Sequence, residues 1–408
     1  MTEKLDRNSW SGMNILLSNN HLVPVGEKIT FDLFHQFLNS QDEGKSPGND
    51  SISLEYKAWG AFDIGISKSF WKNGNALQIA LIGCPMFPWI KKLEGLGIHE
   101  NVRPEDIAIY LRDQGKALSL CGNTIIKGTC YLPKSGVERS YIEGTQFSEN
   151  KLILGEIKTS FKILPLLNPK LFQWICSMQN NDSYISDSLI KINHIKIKDT
   201  IINSFQNKTL ILFSTETILL DNKFYKGNII IFSKEEIQVR GSIKLQDVIL
   251  IAPRIKLREN FSGSLQAFAF DTLLVENKCN LIYPSVLSIT STKNQNASLI
   301  MKEDSKLNGI VIAYQNEASS GMGRKEIMIN IEKGSSIEGH IYSNGLVDFK
   351  GSLNGTIICD GFILSTTSSV YENQLLNVCI DATKLSKHFV GIDIFGFSEE
   401  KSVVKWMY

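Results

Sequence analysis

No apolar run in this chain approaches the ~20 residues that a membrane-spanning helix needs. The opening Met1-Thr-Glu-Lys-Leu-Asp-Arg is charged from its first turn with no apolar core behind it, unlike a secretory leader. Net charge is missing too. Lys+Arg 43 against Asp+Glu 42 leaves +1, which supplies no general attraction to nucleic acid or to an anionic membrane. The seven cysteines (Cys84, Cys121, Cys130, Cys176, Cys279, Cys359 and Cys379) form no CxxC pair. That removes the usual spacing of a structural zinc site, and an odd count rules out a complete disulfide framework. They read as single buried thiols acting as small hydrophobes. HExxH, GxSxG and the calcium-binding loops of EF-hands and nonapeptide repeats are also absent. With no clustered His, Cys and carboxylate ligands, the purified protein is expected to hold no metal, nucleotide or other cofactor.

What the chain has is glycine at a fixed interval. Gly339, Gly345 and Gly351 fall six residues apart, as do Gly355 and Gly361. Each precedes a short apolar run, such as His340-Ile341-Tyr342 or Thr356-Ile357-Ile358. Gly122 and Gly128 repeat the interval earlier in the chain. These seven glycines are read as structural turns, the corners between six-residue edges of a right-handed parallel β-solenoid. Strand-like runs start at Leu210, Ile229, Val248, Ala267, Val286, Ile310, His340 and Thr356, with steps of 19, 19, 19, 19, 24, 30 and 16. A circuit of three six-residue edges needs about 18, and the longer steps coincide with insertions at Thr290–Asn296 and Asn316–Lys325. A β-sandwich with the same strand spacing is the alternative.

At 408 residues and 43% apolar composition the chain is too apolar for disorder and long enough for two or three domains. Residues 1–24 read as a helix with Leu5, Ser9, Gly12, Met13, Leu16 and Leu17 on one face. Residues 25–115 read as a smaller α+β domain, with strands at Ile52–Trp59, Gly60–Ile66 and Ala76–Gly83 and a hairpin turn at Asn73-Gly74. The first solenoid-like circuits occupy 116–149. An insertion or bridge with helical parts follows at 150–205, the main solenoid at 206–373 and a C-terminal cap at 374–408. Within that cap, Gln374–Val378 and Thr383–Phe389 read as short amphipathic helices.

Candidate chemistry is thin. A polysaccharide-cleaving β-helix needs carboxylates, or a Lys or Arg base, on adjacent circuits of one face. The acids Asp247, Asp271, Asp304, Asp348 and Asp360 are separated by 24, 33, 44 and 12 residues, and none of these equals one circuit, so they read as solvated turn acids. His340 is a lone strand histidine. His194 stands among Lys191, Lys196 and Lys198 on a small basic strand. Ser148–Lys151 and Ser188–Lys191 match SxxK without a partner motif. Gly321-Met-Gly-Arg-Lys325 lacks the strand–loop–helix setting of a phosphate cradle and reads as a flexible insertion.

The run Gly339-His-Ile-Tyr-Ser-Asn-Gly-Leu-Val-Asp-Phe-Lys-Gly-Ser-Leu-Asn-Gly-Thr-Ile357 resembles the polymer-forming, bactofilin-type β-solenoid. The wider chain resembles a family of bacterial cell-envelope proteins in which one N-terminal, pilin-like membrane helix precedes an extracytoplasmic β-rich domain and a solenoid. Tyr56–Asp63, Tyr131–Gly144 and Leu385–Gly391 carry that likeness. It implies a non-enzymatic, membrane-anchored protein of the periplasm or cell surface, with protein partners or self-association and no nucleic acid. Two features depart from it: the chain contains no membrane segment, and its solenoid-like part is embedded between other domains. A hydrophobic segment of about 20 residues is accordingly expected upstream of Met1. Without one, the chain would be cytoplasmic. The alternative reading is a carbohydrate-binding or polysaccharide-degrading β-helix.

Overall fold

The computed structural model describes residues 2–18, 23–24, 26–32, 50–84, 107–179, 189–191, 200–291, 296–315, 327–396 and 400–407. The chain is mainly β. An N-terminal helix lies on a small antiparallel sheet, and most of the remaining strands build a large, mainly parallel wall, beside a two-stranded and a three-stranded sheet.

Helix Thr2–Ser18 buries the face expected of it: Leu5, Ser9, Gly12, Met13 and Leu16 are inside and Leu17 is half-buried. The small residues let it approach closely, since a side chain on Gly12 would collide with Ser67, Ile52 and Leu54 of the sheet below. That sheet runs Lys28–Asp32, Asp50–Trp59, Phe62–Trp71, Gly74–Gly83 and Ser402–Trp406. Trp71 pairs with Gly74, so the hairpin turns on Lys72-Asn73, one residue earlier than expected, with Lys72 in the left-handed region. The fifth strand arrives from the far end of the chain. Meanwhile Ile107–Leu111, counted by sequence in the α+β domain, belongs to the wall.

The wall has three faces. On the second, one inward column runs Leu212, Ile231, Leu250, Ala267, Leu287, Val311, Ile341 and Ile357, each in parallel register with the next. On the third, Ile218, Ile237, Ile255, Leu273, Leu299, Ile329, Val347 and Phe362 do the same. On the first, the column is Leu281, Leu307, Ile337 and Leu353. Neighbouring strands lie about 4.8 Å apart, so each apolar side chain is covered by the one above and the one below. These columns form one continuous buried core.

The expected solenoid of separate edges is corrected by this wall, whose strands join into a closed parallel barrel. The reason lies in the long strands. Lys244–Leu257, Ser262–Val275, Ser336–Phe349 and Ser352–Ser365 each run for 14 residues. They bend within the strand where turns were expected, and so fuse the ladders of the three faces. Lys244–Leu257 alone pairs with Phe224–Gly227, Ile229–Ser233 and Glu236–Val239.

The wall is also spliced. Ile357 pairs with Ile109, Ile109 with Cys130 and Cys130 with Ile157, so the early strands continue the second-face column beyond its last circuit. On the first face Leu353 pairs with Ile380 and Ile380 with Ile126. One circuit therefore takes its first-face strand from Cys379–Asp381 and its second-face strand from Ile107–Leu111. The helices expected at Gln374–Val378 and Thr383–Phe389 are instead the strands Gln374–Leu376 and Cys379–Asp381 and a 3₁₀ turn at Ala382–Lys384. What covers the last long strand is the splice, to which the C-terminal segment contributes only part.

After Thr159 the chain returns along the outside of the second face as a strap. Its helix Pro169–Gln179 starts where Asn168 caps it, the Asn168 side chain accepting from the Lys170 N–H at 3.0 Å, with proline at the first helical position. The strap covers an outward column that includes Phe268, Ile312, Tyr342, Ile358, Tyr110 and Tyr131. Trp174 meets Phe268 edge-on, Phe172 meets Tyr314, and Tyr342 donates to the Pro165 carbonyl at 2.7 Å.

Candidate functional site

The glycines read as turns all stand between faces. Gly339 and Gly355 lie within long strands, in register with each other and with Gly309. Their φ values are +140° and +144°, a region that L side chains rarely adopt, and a Cβ on either would penetrate the carbonyl oxygen of the glycine one circuit before. Gly128 bends the same corner among the early strands. Gly345 and Gly361 mark the next corner, where the register slips between Ser343 and Leu346. Gly351 marks the third, and Gly122 follows the strand Leu118–Cys121. Gly345 and Gly351 do not have left-handed backbone. Crowding explains them: a Cβ on Gly345 would overlap the Ile327 carbonyl, and one on Gly351 would sit 2.5 Å from the Ser335 oxygen.

The aspartates considered for catalysis are dispersed. Asp247 accepts both hydrogen bonds of Lys405 at 2.8 Å, tying the wall to the antiparallel sheet. Asp271 lies beside Thr272, and Asp304 occupies a left-handed turn against Gly334. Asp348 is buried against Lys350 at 3.1 Å. Asp360 receives Arg112 through two nitrogens, at 2.5 and 3.1 Å, and Gln114 at 3.0 Å. His340 is buried against Phe389. Ser148 spends its hydroxyl on Gly122 and Asn123. His194, Lys196, Lys198, Ser188 and the Gly321–Lys325 segment lie outside the described residues, as does the Lys191 side chain.

Five of the seven cysteines are buried, and Cys176 and Cys379 are half-buried. Burial pushes the Cys130 thiol up to about 12 and that of Cys279 to about 11, away from the thiolate that nucleophilic chemistry needs. Among the described residues no three His, Cys, Asp or Glu side chains converge on a metal-sized site.

Among the described residues there is a shallow depression of about 620 Å³ at the corner between the third and first faces. Asp221, Gln238, Arg240, Ser242, Arg258 and Glu276 are among its lining residues, which include no aromatic ring. Several of its charges are already paired. Arg258 contacts Glu276 at 2.7 Å and Gln238 at 2.9 Å, and Arg240 contacts Asp221 at 3.4 Å. The same column continues as Lys302–Glu332 at 2.5 Å. Glu236 is gripped by Arg254 and Lys256. Burial alone would raise its carboxyl, but hydrogen bonds from Lys256, Arg254 and Gln238 outweigh that and hold it below the ordinary carboxylate range.

Sequence reading missed three polar locks. One is the Arg112–Asp360–Gln114 cluster. The second is Gln266, whose buried amide accepts from the Ala61 N–H at 2.7 Å and donates to the Trp59 carbonyl at 3.0 Å, clasping a turn of the antiparallel sheet. The third is Asp63, which accepts from Tyr56 at 2.9 Å and meets Lys401 at 3.2 Å. A search for opposite charges one circuit apart would have found Arg258 with Glu276 and Lys302 with Glu332. The locks join segments far apart in the chain and leave no such periodic trace.

Comparison with protein-family models, curated proteins and solved structures found no match to this chain. Among the described residues no helix is long and apolar enough to cross a membrane.

Proposed function

We propose that this chain is a non-catalytic structural or interaction protein of the bacterial cell envelope. A segment upstream of Met1 would anchor it, and the β wall would be presented outside the cytoplasmic membrane for assembly or partner binding. The observation that carries this reading is how the wall uses its charge. Several of its ionisable side chains are paired from circuit to circuit: Arg258 with Glu276, Lys302 with Glu332, and Glu236 with Arg254 and Lys256. Groups spent in this way hold strands in register and do not converge on a reacting atom. The envelope part of the reading rests on the resemblance in the sequence.

The test is to determine the gene's true 5′ end and fractionate cells expressing the natural protein. A hydrophobic segment before Met1 and recovery with membranes support the assignment. A natural start at Met1 with recovery in the cytosol overturns it and favours a cytoplasmic scaffold.

A carbohydrate-binding role is the second reading, favoured by the depression lined by Asp221, Gln238, Arg240 and Arg258. It lacks the aromatic platform on which sugar rings stack. Saturable binding of a soluble polysaccharide, lost on Arg258→Ala, would reverse the ranking.

A further inference from the structure

The splice is a complete cross-section of the wall. On the first face Cys379–Asp381 pairs with Ile125–Lys127, on the second Ser352–Ser365 with Ile107–Leu111, and on the third Gln374–Leu376 with Leu118–Cys121. Side chains match across it as well as ladders. Thr356 donates to the Ile107 carbonyl at 2.7 Å, the Asn377 side chain accepts from the Asn123 N–H at 2.9 Å, and Arg112 and Gln114 meet Asp360. The part beyond this plane, Ile107–Thr159, is one uninterrupted stretch of chain with two connections to the rest. Residues 85–106 lead in from the antiparallel sheet, a length that reaches up to roughly 70 Å. On the way out, Ser160 and Phe161 still bond to this part, at Leu132, Tyr110 and Asp113. The Pro165 carbonyl already accepts from Tyr342 on the other side of the splice. Between them lie Lys162 and Ile163, both exposed, Ile163 to 76%.

We propose that the splice is an exchange joint between two copies of this chain: Ile107–Thr159 of one copy completes the wall of a second, and the reverse, giving a domain-swapped dimer. The surface that a departing module leaves behind is the complement of an identical module, and its polar groups are satisfied only in that register. A second copy is therefore the partner that fits it. The swapped pair keeps every contact of the splice and differs from two monomers only in its connectors and in the entropy of association. A module tethered to its own chain acts at an effective concentration on the order of mM, so a dilute chain closes on itself. Copies held side by side, as in the assembly role proposed above, reach the range where exchange competes. The inference rests on that assembly reading for its setting in the cell, and the exchange itself requires no envelope location.

Charge exchange across the splice tests this on the full chain. One variant carries Arg112→Glu and the other Asp360→Arg. Alone, each sets like charges against each other at the splice, in its monomer and its homodimer alike. In a mixed swapped dimer both joints bring opposite charges together, one as in the natural chain and one reversed. The two variants, differently tagged, are unfolded together in urea and refolded at high concentration. Tag capture and light scattering should show a mixed dimer, at least about tenfold more abundant than the dimer from either variant alone. It should not form when the two are refolded separately and then mixed. Monomers only, or a mixed dimer that also assembles from separately folded chains, overturns the joint. If the variants do not refold, the wild-type chain decides: tagged and untagged copies refolded together should co-purify in a share that rises with concentration, and copies that stay separate overturn the proposal. Neither result bears on cell fractionation, so failure of the joint is separable from failure of the envelope assignment.

Discussion

From Thr200 to Ser365 the wall follows the chain from circuit to circuit, whereas Ile107–Thr159 meets the last of those circuits only through space. The two regions share an inward column that passes from Ile357 to Ile109 without a change of register. They differ in what specifies that register. In the continuous region a strand meets the circuit just before it, and the ladder plus apolar alternation suffices. At the splice, polar side chains take over. Thr356 donates to the Ile107 carbonyl at 2.7 Å, and Asn373 bonds Phe362 through both its backbone and its amide. The Asn377 side chain accepts from the Asn123 N–H at 2.9 Å, and Arg112 and Gln114 close on Asp360. Where chain connectivity does not choose the neighbour, buried polar groups that are satisfied in only one register choose it.

The sharpest way to break the continuous region is at its glycine corner. Gly339→Val or Gly355→Val forces both a left-handed backbone and a clash with a carbonyl, and should remove more than about 4 kcal/mol or abolish folding. Soluble yield and urea melts check it. Gly345→Val, crowded but not left-handed, should lose about 2–3 kcal/mol. Gly361→Ala, whose closest approach is 3.1 Å to the flexible Leu346 side chain, should lose less than about 1 kcal/mol. Equal losses at all three would mean that corner geometry is not what the glycines provide.

At the splice, Asp360→Asn leaves Arg112 half-buried without its partner and should lose about 2–3 kcal/mol. The loss should appear first as faster hydrogen exchange in 107–159. Arg112→Met combined with Asp360→Leu should recover part of it. Exchange that accelerates evenly through Thr200–Ser365 as well would erase the distinction between the two regions. Gln266→Ala, which strands the Trp59 and Ala61 backbone groups, should lose about 1–3 kcal/mol in a thermal melt. The smallest effect is expected on the charged column: Glu276→Gln should change stability by no more than about 0.5–1 kcal/mol, and less in high salt.

Much of the continuous region was legible in the sequence. The run starts at Val286, Ile310, His340 and Thr356 are true register partners, as are Leu210 and Ile229. The insertions expected at Thr290–Asn296 and Asn316–Lys325 lie almost wholly outside the described residues. Alternation and corner glycines are local signals, repeated in every circuit. The closed wall was not legible, because bending within a strand leaves the same spacing as a turn. Nor was the splice, since nothing in Ile107-Ala-Ile-Tyr-Leu111 names Ile357 as its neighbour. Leu375, Leu376 and Val378, and farther on Leu385 and Phe389, also fit helical spacing, and runs that short do not separate the two periods. Of the candidate surface, the polar locks could not be read from the sequence.

The strap has a consequence for how the protein is made. Ile109 leaves the ribosome about 250 residues before Ile357, its neighbour on the wall, which at ~5–20 residues per second is roughly 12–50 s. For that interval the early strands exist with one edge lacking its partner, while the strap already commits the chain to begin again at the opposite end. The last circuits to emerge must then find a waiting edge and join it in register. Assembly of the wall thus requires the repair of a gap, and a nascent chain stalled in that interval would present an open parallel edge to whatever strand comes near.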